Sequence, residues 1–401
     1  MENEVVLYGG TYLNKGGAAI AQGTLEVLEK LNISFNVIID PEPPLEQTYR
    51  NYDLRTIYRY SDLLASKEMP SISPAHTFKP FVKCLMNSRI DSIKELKGIP
   101  IWHIGDSPFS DQRSYLSILG QVIALRTLES AMKSKVIIGG ISLDYPRTRV
   151  GGIALKNLFR KHVDFSFLRG QHTYENVLNL GVSSEKMSMI CDFAFHLNGE
   201  DSQQVKDLSS IHELDKPSIA LIFREYSSGE ERQDYINNIK ELTLKLENQG
   251  YQVFYVPTSY AYLLPENDDV FVKNVLKPDS NKVINIRDLS PGEIISLFSK
   301  FDAVISARLH GAVYGTLANV PTIHLYEGYK SLEVIGDVFT DSVPLSKISD
   351  FTKKSGFDKI LEILDGITEN DIQTQLKSKI EVARKSSLKV LKDDMDRLLE
   401  V

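Results

Sequence analysis

Arg308, His310 and Lys330 carry groups that could bind an anion and move a proton, and they lie within the stretch FDAVISARLHGAVYGTLANVPTIHLYEGYK, residues 301–330. Arginine and lysine neutralise anions, and histidine exchanges a proton near neutral pH. Gly311 follows directly, where a backbone without a side chain allows close approach to a ligand. Each residue alone is equally compatible with an ordinary surface charge or a helix cap. Together they favour a site for an anionic ligand.

A strand and a helix are predicted on the two sides of Arg308 and His310. Residues 302–306 form a short apolar run typical of a buried parallel strand, and residues 310–319 have the composition and spacing of a helix. In open α/β sheets, ligands collect at the carboxyl ends of strands, where helix N-termini offer N–H groups to anions. We therefore expect Arg308 and His310 at a ligand-binding turn.

A second strand is predicted to add charged residues to the same edge. Asn319 and Pro321 are expected to end the helix, and residues 322–326 to form the next strand. Glu327 and Lys330 follow that strand. One edge of the predicted sheet thus gathers an arginine, a histidine and a lysine.

Several motifs, in this order and spacing, resemble the polysaccharide pyruvyl transferase family. The SARLHG core, followed by a small-residue helix, ANVPTI, an aromatic residue and a lysine, is similar to the C-terminal signature of that family. Further similar segments are GGTYLNKGGAAI near the start, and DFSFLRGQHTYENVLNLGV and DFAFHL in the middle. The shared pattern covers about residues 3–340.

The resemblance implies an α/β fold of the GT-B type, in which two Rossmann-like, doubly wound domains face a cleft. It implies phosphoenolpyruvate as the donor and a saccharide or lipid-linked glycan as the acceptor. The product would be a pyruvate ketal in polysaccharide or cell-wall glycan biosynthesis. His310 and Arg308 would be catalytic, with His310 as general acid and base. The donor would be bound by Arg224, Arg308, Leu309, Gly311 and Lys330.

The glycine-rich turn after the first predicted strand is a further candidate for the cleft. The resemblance implies that Asn14, Gly16 and Gly17 line it with backbone amides. The glycines do not match the dinucleotide-binding or P-loop spacing. A plain tight turn is the alternative interpretation.

Three residues of the N-terminal half are also candidates for the cleft. His103 and Asp106, at the end of a predicted strand, could contact the acceptor or act as acid and base, although a histidine in such a position is more often a hydrogen-bonded structural residue. Arg169 follows the strand predicted at residues 165–168 and could serve the acceptor. The loop GGISLDYPRTRVGG, residues 139–152, carries two arginines and could also bind the acceptor.

Alternating short strands and helices predict a doubly wound sheet in each half of the chain. A polar stretch at residues 198–217 has little apolar periodicity, and we place the interdomain linker there. The predicted segments are an N-terminal, acceptor-side domain at 1–200, a donor-binding domain at 201–368 and a C-terminal helix at 369–401. Residues 41–95 are predicted only to be a variable insertion.

In the C-terminal helix, apolar residues recur with three- and four-residue spacing, at Leu388, Leu391, Met395 and Leu398. A coiled-coil seam would need a longer repeat. Packing against the two domains is therefore the favoured interpretation.

Composition excludes several other classes of protein. The chain has 401 residues, 42% hydrophobic and 25% charged, and a formal net charge of −7, which argues against a general nucleic-acid binder. Cys84 and Cys191 lack metal-ligand spacing, so we expect no metal, no cofactor and a reducing, cytoplasmic compartment. No apolar run reaches the roughly 18 residues of a membrane span, and a peripheral membrane contact stays compatible with the sequence.

Two other functions stay open. A GT-B glycosyltransferase with a nucleotide-sugar donor would also bind phosphate at helix N-termini, but no ribose-binding glutamate lies at the usual distance. Glu327 and Glu333 keep that alternative open. A non-catalytic binding module with the same fold is the other alternative, and the joint presence of Arg224, Arg308 and His310 argues against it.

Overall fold

The computed structural model describes most of the chain. Its described residues are 4–10, 13–39, 52–57, 95–105, 109, 115–210, 216–226, 229, 231–261, 266–339, 342–368 and 372–399. They form two units, each with its own parallel sheet. The first unit comprises Met1–Tyr12, Ile20–Phe193 and Lys385–Val401, and the second unit comprises Leu13–Ala19 and Ala194–Arg384.

The first unit contains a sheet of seven parallel strands in the order β3-β2-β1-β4-β5-β6-β7. This order reverses direction between β1 and β4, which is typical of a Rossmann-like sheet. The strands are β1 (Glu4–Tyr8), β2 (Ser34–Ile39), β3 (Arg55–Ile57), β4 (Ile101–Ile104), β5 (Val136–Ile141), β6 (Phe165–Leu168) and β7 (Met187–Met189).

The second unit contains a sheet of five parallel strands in the order β12-β11-β10-β8-β9. Here the order reverses between β8 and β10, so a ligand crevice is expected beyond the carboxyl ends of these two strands. The strands are β8 (Ser218–Ile222), β9 (Gln252–Tyr255), β10 (Ala303–Ser306), β11 (Thr322–Tyr326) and β12 (Leu345–Lys347). The two parallel α/β sheets confirm the predicted fold class.

Helices connect the strands of both sheets. Their bounds are Lys15–Lys30, Tyr115–Met132, Arg149–Lys161, Gln171–Asn179, Gln203–Ser209, Glu231–Asn248, Asp268–Phe271, Pro291–Phe298, Leu309–Leu317, Tyr329–Ser331, Asp337–Phe339, Ile348–Phe351, Lys354–Thr368 and Ile372–Leu399. Two π-helical turns, Val272–Leu276 and Leu332–Gly336, extend the short helices that precede them. Single 3₁₀ turns lie at Ser184–Lys186, Phe193–His196 and Ser280–Lys282. Within the described residues, none of these helices is both long and apolar enough to cross a membrane.

The unit boundaries differ from the predicted domain boundaries in three ways. The chain passes into the second unit between Phe193 and Ala194, before residue 200, and the predicted linker contains the helix Gln203–Ser209. Leu13–Ala19 belongs to the second unit although it lies near the start of the chain. The C-terminal helix is not a separate segment, since its last part belongs to the first unit.

The C-terminal helix also shows which of its apolar residues are used. Leu391 and Met395 are buried in the first unit, whereas Leu388 and Leu398 are only partly buried. Packing of the helix within the chain therefore accounts for the centre of the apolar stripe. Of the insertion at residues 41–95, only residues 52–57 and Glu95 are described.

Candidate active site

Arg308 begins the helix that follows β10. It is the N-cap residue of Leu309–Leu317, and its side chain makes no capping hydrogen bond. The Ser306 hydroxyl accepts a hydrogen bond from the Arg308 amide at 3.1 Å and donates one to the Arg308 carbonyl at 2.7 Å. This local closure fixes the turn, so that the Arg308 side chain is available for longer-range contacts.

Glycines let this helix lie directly on the sheet. A Cβ at Gly311 would lie 2.4 Å from the Ser306 hydroxyl, and one at Gly315 would lie 2.4 Å from the Thr322 hydroxyl. Both distances are below van der Waals contact, so both positions require glycine. The first-turn amides, which include those of Leu309 and Gly311, are therefore held at the carboxyl end of β10, where they favour an anion.

The Arg308 guanidinium is held by a buried carboxylate. Its Nε and Nη2 donate to Asp268 Oδ1 at 3.0 and 2.6 Å, and Nη2 also donates to the Glu266 carbonyl at 3.1 Å. The Asp268 side chain is 0% exposed and also accepts from the amide and hydroxyl of Thr258. Among the described residues, Nη1 of Arg308 has no hydrogen-bond acceptor. This geometry orients one edge of the guanidinium towards a ligand.

Arg224 follows β8, so that it and Arg308 flank the point where the strand order reverses. Its Nη2 donates to Glu327, whose side chain is 52% exposed. Nε of Arg224 is buried and has no hydrogen-bond partner in the described part of the chain. Burial lowers the pKa of Arg224, and the charge of Arg308 lowers it further. Two positive charges therefore act on each other at the predicted ligand crevice.

His310 lies beside the glycine-rich turn. A Cβ at Gly16 would lie 2.4 Å from His310 Nδ1 and 2.7 Å from its Cγ, so the imidazole packs directly on the Gly16 backbone. Gly16 and His310 lie far apart in the sequence. The structure brings them into contact within the second unit.

Backbone hydrogen bonds fix the glycine-rich turn to the second unit. The Lys15 amide donates to the Thr258 carbonyl at 2.9 Å, and the Tyr260 amide donates to the Leu13 carbonyl at 2.8 Å. Asn14 forms an antiparallel bridge with Ser259 and accepts a hydrogen bond from the Gly16 amide at 3.0 Å. The turn is therefore an added edge of this unit.

The Lys15 side chain points into the same unit. Its Nζ is buried and donates to the Leu289 carbonyl at 3.1 Å, while its own carbonyl accepts from the Tyr314 hydroxyl at 2.7 Å. Burial lowers the pKa of Lys15 to about 7, and Asp288 opposes this shift. Lys15, which is near half protonation at neutral pH, thus anchors the glycine-rich turn to the second unit.

A neutral histidine, His324, lies near Arg224. His324 in β11 donates from Nδ1 to the Ser306 carbonyl at 2.9 Å and accepts at Nε2 from the Ser331 hydroxyl at 2.8 Å. Burial lowers the pKa of His324 to about 4, and the charges of Arg224 and His310 lower it further. His324 therefore adds no positive charge at neutral pH.

The family model described as polysaccharide pyruvyl transferase matches residues 14–329, well over half of the 401 residues. The chain belongs to the polysaccharide pyruvyl transferase family. The match confirms the predicted resemblance and makes the protein a transferase. It includes both arginines, His310 and, in the glycine-rich turn, Asn14, Gly16 and Gly17, and it ends one residue before Lys330. None of the curated proteins compared with the transferase matches it significantly.

Solved structures with the same fold are distant in sequence. The transferase superposes on UDP-GlcNAc 2-epimerase from Methanocaldococcus jannaschii with a TM-score of 0.57 and 12% identity, covering 92% of this chain and 94% of that one. It superposes on Anabaena Alr3699/HepE in complex with UDP and glucose with a TM-score of 0.57 and 11% identity, covering 97% and 99%. A putative UDP-N-acetylglucosamine 2-epimerase from Listeria monocytogenes gives 0.57 and 14%, covering 94% and 91%. These likenesses support the GT-B-like fold.

The N-terminal candidates of the transferase lie in the first unit. His103 is buried in β4, where burial lowers its pKa to about 4 and its ring contacts Tyr8 and Phe109. Arg169 is fully buried and donates to Asp192 at 2.6 Å and Ser142 at 3.1 Å. This burial favours structural roles for both residues. Asp106 lies outside the described residues.

The remaining candidates are at the edge of the second sheet. Lys330 is partly buried in the short helix Tyr329–Ser331, next to β11. Gly17 is buried in the first turn of the helix Lys15–Lys30. Glu333, which we considered for ribose binding, is buried in the π-helical turn. In the part of the chain that the structure describes, no group of three His, Cys, Asp or Glu residues could hold a metal ion.

Three residues near the site, Lys15, Asp268 and His324, were not predicted from the sequence. Lys15 lies in a glycine-rich turn, where a lysine is usually solvated. Asp268 is the partner of Arg308 but lies 40 residues before it. The one available signal was the segment NDDV, in which Asn267 caps the helix that contains Asp268.

Proposed function

We propose that this transferase moves the pyruvyl group of phosphoenolpyruvate onto hydroxyl groups of a saccharide and forms a pyruvate ketal. The observation that carries the proposal is the placement of Arg224 and Arg308 around the reversal point of the second sheet, beside His310. Phosphoenolpyruvate carries a phosphate and a carboxylate. Arginine binds both groups with paired N–H donors.

The two arginines differ in how firmly their carboxylates hold them. Asp268 is fully buried and has other hydrogen bonds, so it acts as a fixed support that orients Arg308. Glu327 is half exposed, and water can solvate it if it moves away from Arg224. We therefore expect the donor to compete with Glu327 for Arg224 and to use the outer edge of Arg308. Amides of Leu309 and Gly311 and the ammonium of Lys330 would complete the anion site.

The transfer needs one proton donor and one proton acceptor. A proton added to the methylene carbon of phosphoenolpyruvate turns it into a methyl group and leaves positive charge on the neighbouring carbon. A sugar hydroxyl adds there and loses its proton. A second hydroxyl then displaces inorganic phosphate, which leaves with the proton of that hydroxyl, and closes the ketal. We assign proton delivery and removal to His310, because its ring is fixed against Gly16 and it lies two residues after Arg308 in the first turn of the same helix.

The glycine-rich turn, which contacts His310 through Gly16, would also support this chemistry. Asn14 is exposed, so its side chain is available to a ligand, whereas Gly16 and Gly17 are buried. Asn14 also orders the turn through the Gly16 amide. The proposed acceptor is a saccharide or a lipid-linked glycan, and the sequence expectation that His103, Asp106 and Arg169 serve it stays a prediction.

A thermal-shift experiment tests the donor. Phosphoenolpyruvate, UDP-sugars and GDP-sugars are compared on the wild-type protein. A ligand present at about 100 times its Kd stabilises the native state by about 2.7 kcal/mol, or roughly 5–10 °C for a unit of this size. We expect this shift for phosphoenolpyruvate. A shift with a nucleotide sugar alone would contradict the proposal and would instead favour a glycosyltransferase.

Arg224→Ala is the sharpest variant for this experiment. Its partner Glu327 is half exposed, so the substitution leaves Glu327 in contact with water and creates no buried, unpaired charge. In the complex, Arg224 would pair with an anionic group of phosphoenolpyruvate, and losing one partner of such a desolvated pair costs about 2–5 kcal/mol. The phosphoenolpyruvate shift should therefore nearly vanish in this variant. Arg232→Ala is the matched control, since Arg232 pairs with Glu225 on the protein surface. Equal shifts in both variants would remove Arg224 from the donor site.

A further inference from the structure

Exposed apolar side chains are concentrated on the first unit, in the segment of residues 145–161. Three of the eight large hydrophobic side chains exposed in the described part of the chain lie there. Tyr145 is 52% exposed, Val150 49% and Ile153 61%. We call this segment the 145–161 surface. Single exposed apolar residues are normal, but three within nine positions suggest a contact surface.

The same segment is strongly basic. Its sequence, YPRTRVGGIALKNLFRK, contains five arginine and lysine residues and no aspartate or glutamate, although the whole chain has a net charge of −7. The adjacent acidic residues in the sequence are Asp144 and Asp164. Asp164 accepts a hydrogen bond from the Val136 amide at 2.8 Å, which holds it at the sheet. The 145–161 surface is thus a local cationic surface on an acidic protein.

Helix geometry brings the cationic and apolar side chains together. In the helix Arg149–Lys161, the buried residues Gly151, Leu155, Leu158 and Phe159 form the inner face, which packs against the helix Tyr115–Met132 in the core of the first unit. Exposed residues recur on the other face with spacings of four, three and four. That exposed row consists of Arg149, Ile153, Lys156 and Arg160.

The start of this helix is fixed, which also fixes the exposed face. The Thr148 hydroxyl accepts a hydrogen bond from the Gly151 amide at 3.1 Å and caps the helix. Val150 lies three residues before Ile153 and extends the apolar part of the face. Tyr145 precedes the cap in the adjoining loop. The apolar side chains are therefore presented by an ordered element.

We propose that the 145–161 surface binds an anionic lipid bilayer. A bilayer offers negative headgroups to the cations and an apolar boundary to Tyr145, Val150 and Ile153. A soluble polyanion would use only the cations, and an apolar protein surface would use only the hydrophobic side chains. The bilayer is the partner that uses both. This proposal does not depend on the donor or on the reaction.

Co-sedimentation of the full chain with vesicles tests the proposal. One vesicle preparation is phosphatidylcholine alone, and the other contains equal parts of phosphatidylcholine and phosphatidylglycerol. We expect binding to the anionic vesicles and little binding to the neutral ones. Each cation near an anionic surface strengthens binding about fivefold, so Arg149→Gln with Lys156→Gln should weaken it roughly 25-fold. Lys240→Gln with Lys347→Gln is the matched control, because both lysines are exposed on the second unit.

A second pair of variants separates a bilayer from a soluble polyanion. Val150→Gln with Ile153→Gln keeps every cation, and it should weaken vesicle binding while leaving retention on heparin unchanged. Leu244→Gln, at a side chain that is 60% exposed on the second unit, is its control. Circular dichroism checks that all variants are folded. The proposal is overturned if wild type does not bind anionic vesicles at low salt, or if the apolar variants bind them as tightly as wild type.

Discussion

Replacing Lys15 by methionine should change how the stability of the second unit depends on pH. Burial lowers the pKa of Lys15 from 10.5 to about 7. Between these two values the unfolded chain binds a proton that the folded protein releases, so stability rises with pH there. The stabilisation is complete above the unfolded pKa and is lost as pH falls towards 7. Methionine fills the same space and removes the titration.

The magnitude follows from the size of the shift. Each pH unit inside this window is worth about 1.4 kcal/mol for one titrating group. Between pH 7 and pH 9, the wild type should therefore gain roughly 2–3 kcal/mol relative to Lys15→Met. For a unit of this size, that gain corresponds to roughly 4–12 °C in the difference between the two melting temperatures. The other titrating groups are common to both proteins and cancel in the difference.

The assay is a pair of thermal melts of wild type and Lys15→Met at pH 7, 8 and 9. Lys240→Met is the control, since Lys240 is exposed on the same unit and should give a difference that does not change with pH. A constant difference between wild type and Lys15→Met would refute the reasoning. It would mean that Lys15 is solvated and that the glycine-rich turn is not fixed to the second unit in solution.

Three more substitutions test individual contacts. Gly16→Ala should displace the neighbouring imidazole and lower turnover roughly 100-fold, because misplacing a catalytic group by about 1 Å has that effect. Gly120→Ala, at a glycine with open space around it, should leave turnover unchanged. Equal turnover of the two variants in steady-state phosphate release would contradict this. Glu327→Gln should tighten phosphoenolpyruvate binding several-fold in titration calorimetry by releasing Arg224, and weaker binding would instead make Glu327 a positioning residue. Arg169→Met leaves a buried aspartate without its partner and should cost about 3–5 kcal/mol in chemical unfolding; a loss below about 1 kcal/mol would show that the ion pair is not buried.

Local patterns predicted the elements that carry the site. The apolar run before Arg308, the small-residue helix after it and the strand ending at Tyr326 are present, and Asn319 ends the helix with a positive φ of 56°. The helix Pro291–Phe298 likewise begins at a local motif, the capping box of Ser290 and Glu293. These features depend on interactions between residues that are close in the sequence, so the sequence is sufficient to predict them.

Contacts between residues that are distant in the sequence could not be predicted from local sequence patterns. The mostly apolar segment at residues 283–286 forms no strand, and its Val283 makes only an isolated bridge with Tyr255. The Asp268 partner of Arg308 and the contact between Gly16 and His310 depend on which distant segments the sheet brings together. Periodicity cannot report such contacts, since nothing in the local pattern of either segment depends on the other.

The division of the chain has a consequence for protein synthesis. Each unit is assembled from segments that are far apart in the sequence: the second needs Leu13–Ala19 and the first needs Lys385–Val401. Leu391 and Met395 can fill the first core only after the chain has been synthesised beyond residue 395. Folding of the first unit is therefore expected to finish only after the residues of the second unit have been synthesised, with many contacts of large sequence separation and a correspondingly slow rate. Cutting the chain at the apparent boundary near residue 194 would leave two incomplete pieces, so the domains should be studied by circular permutation or in the full chain.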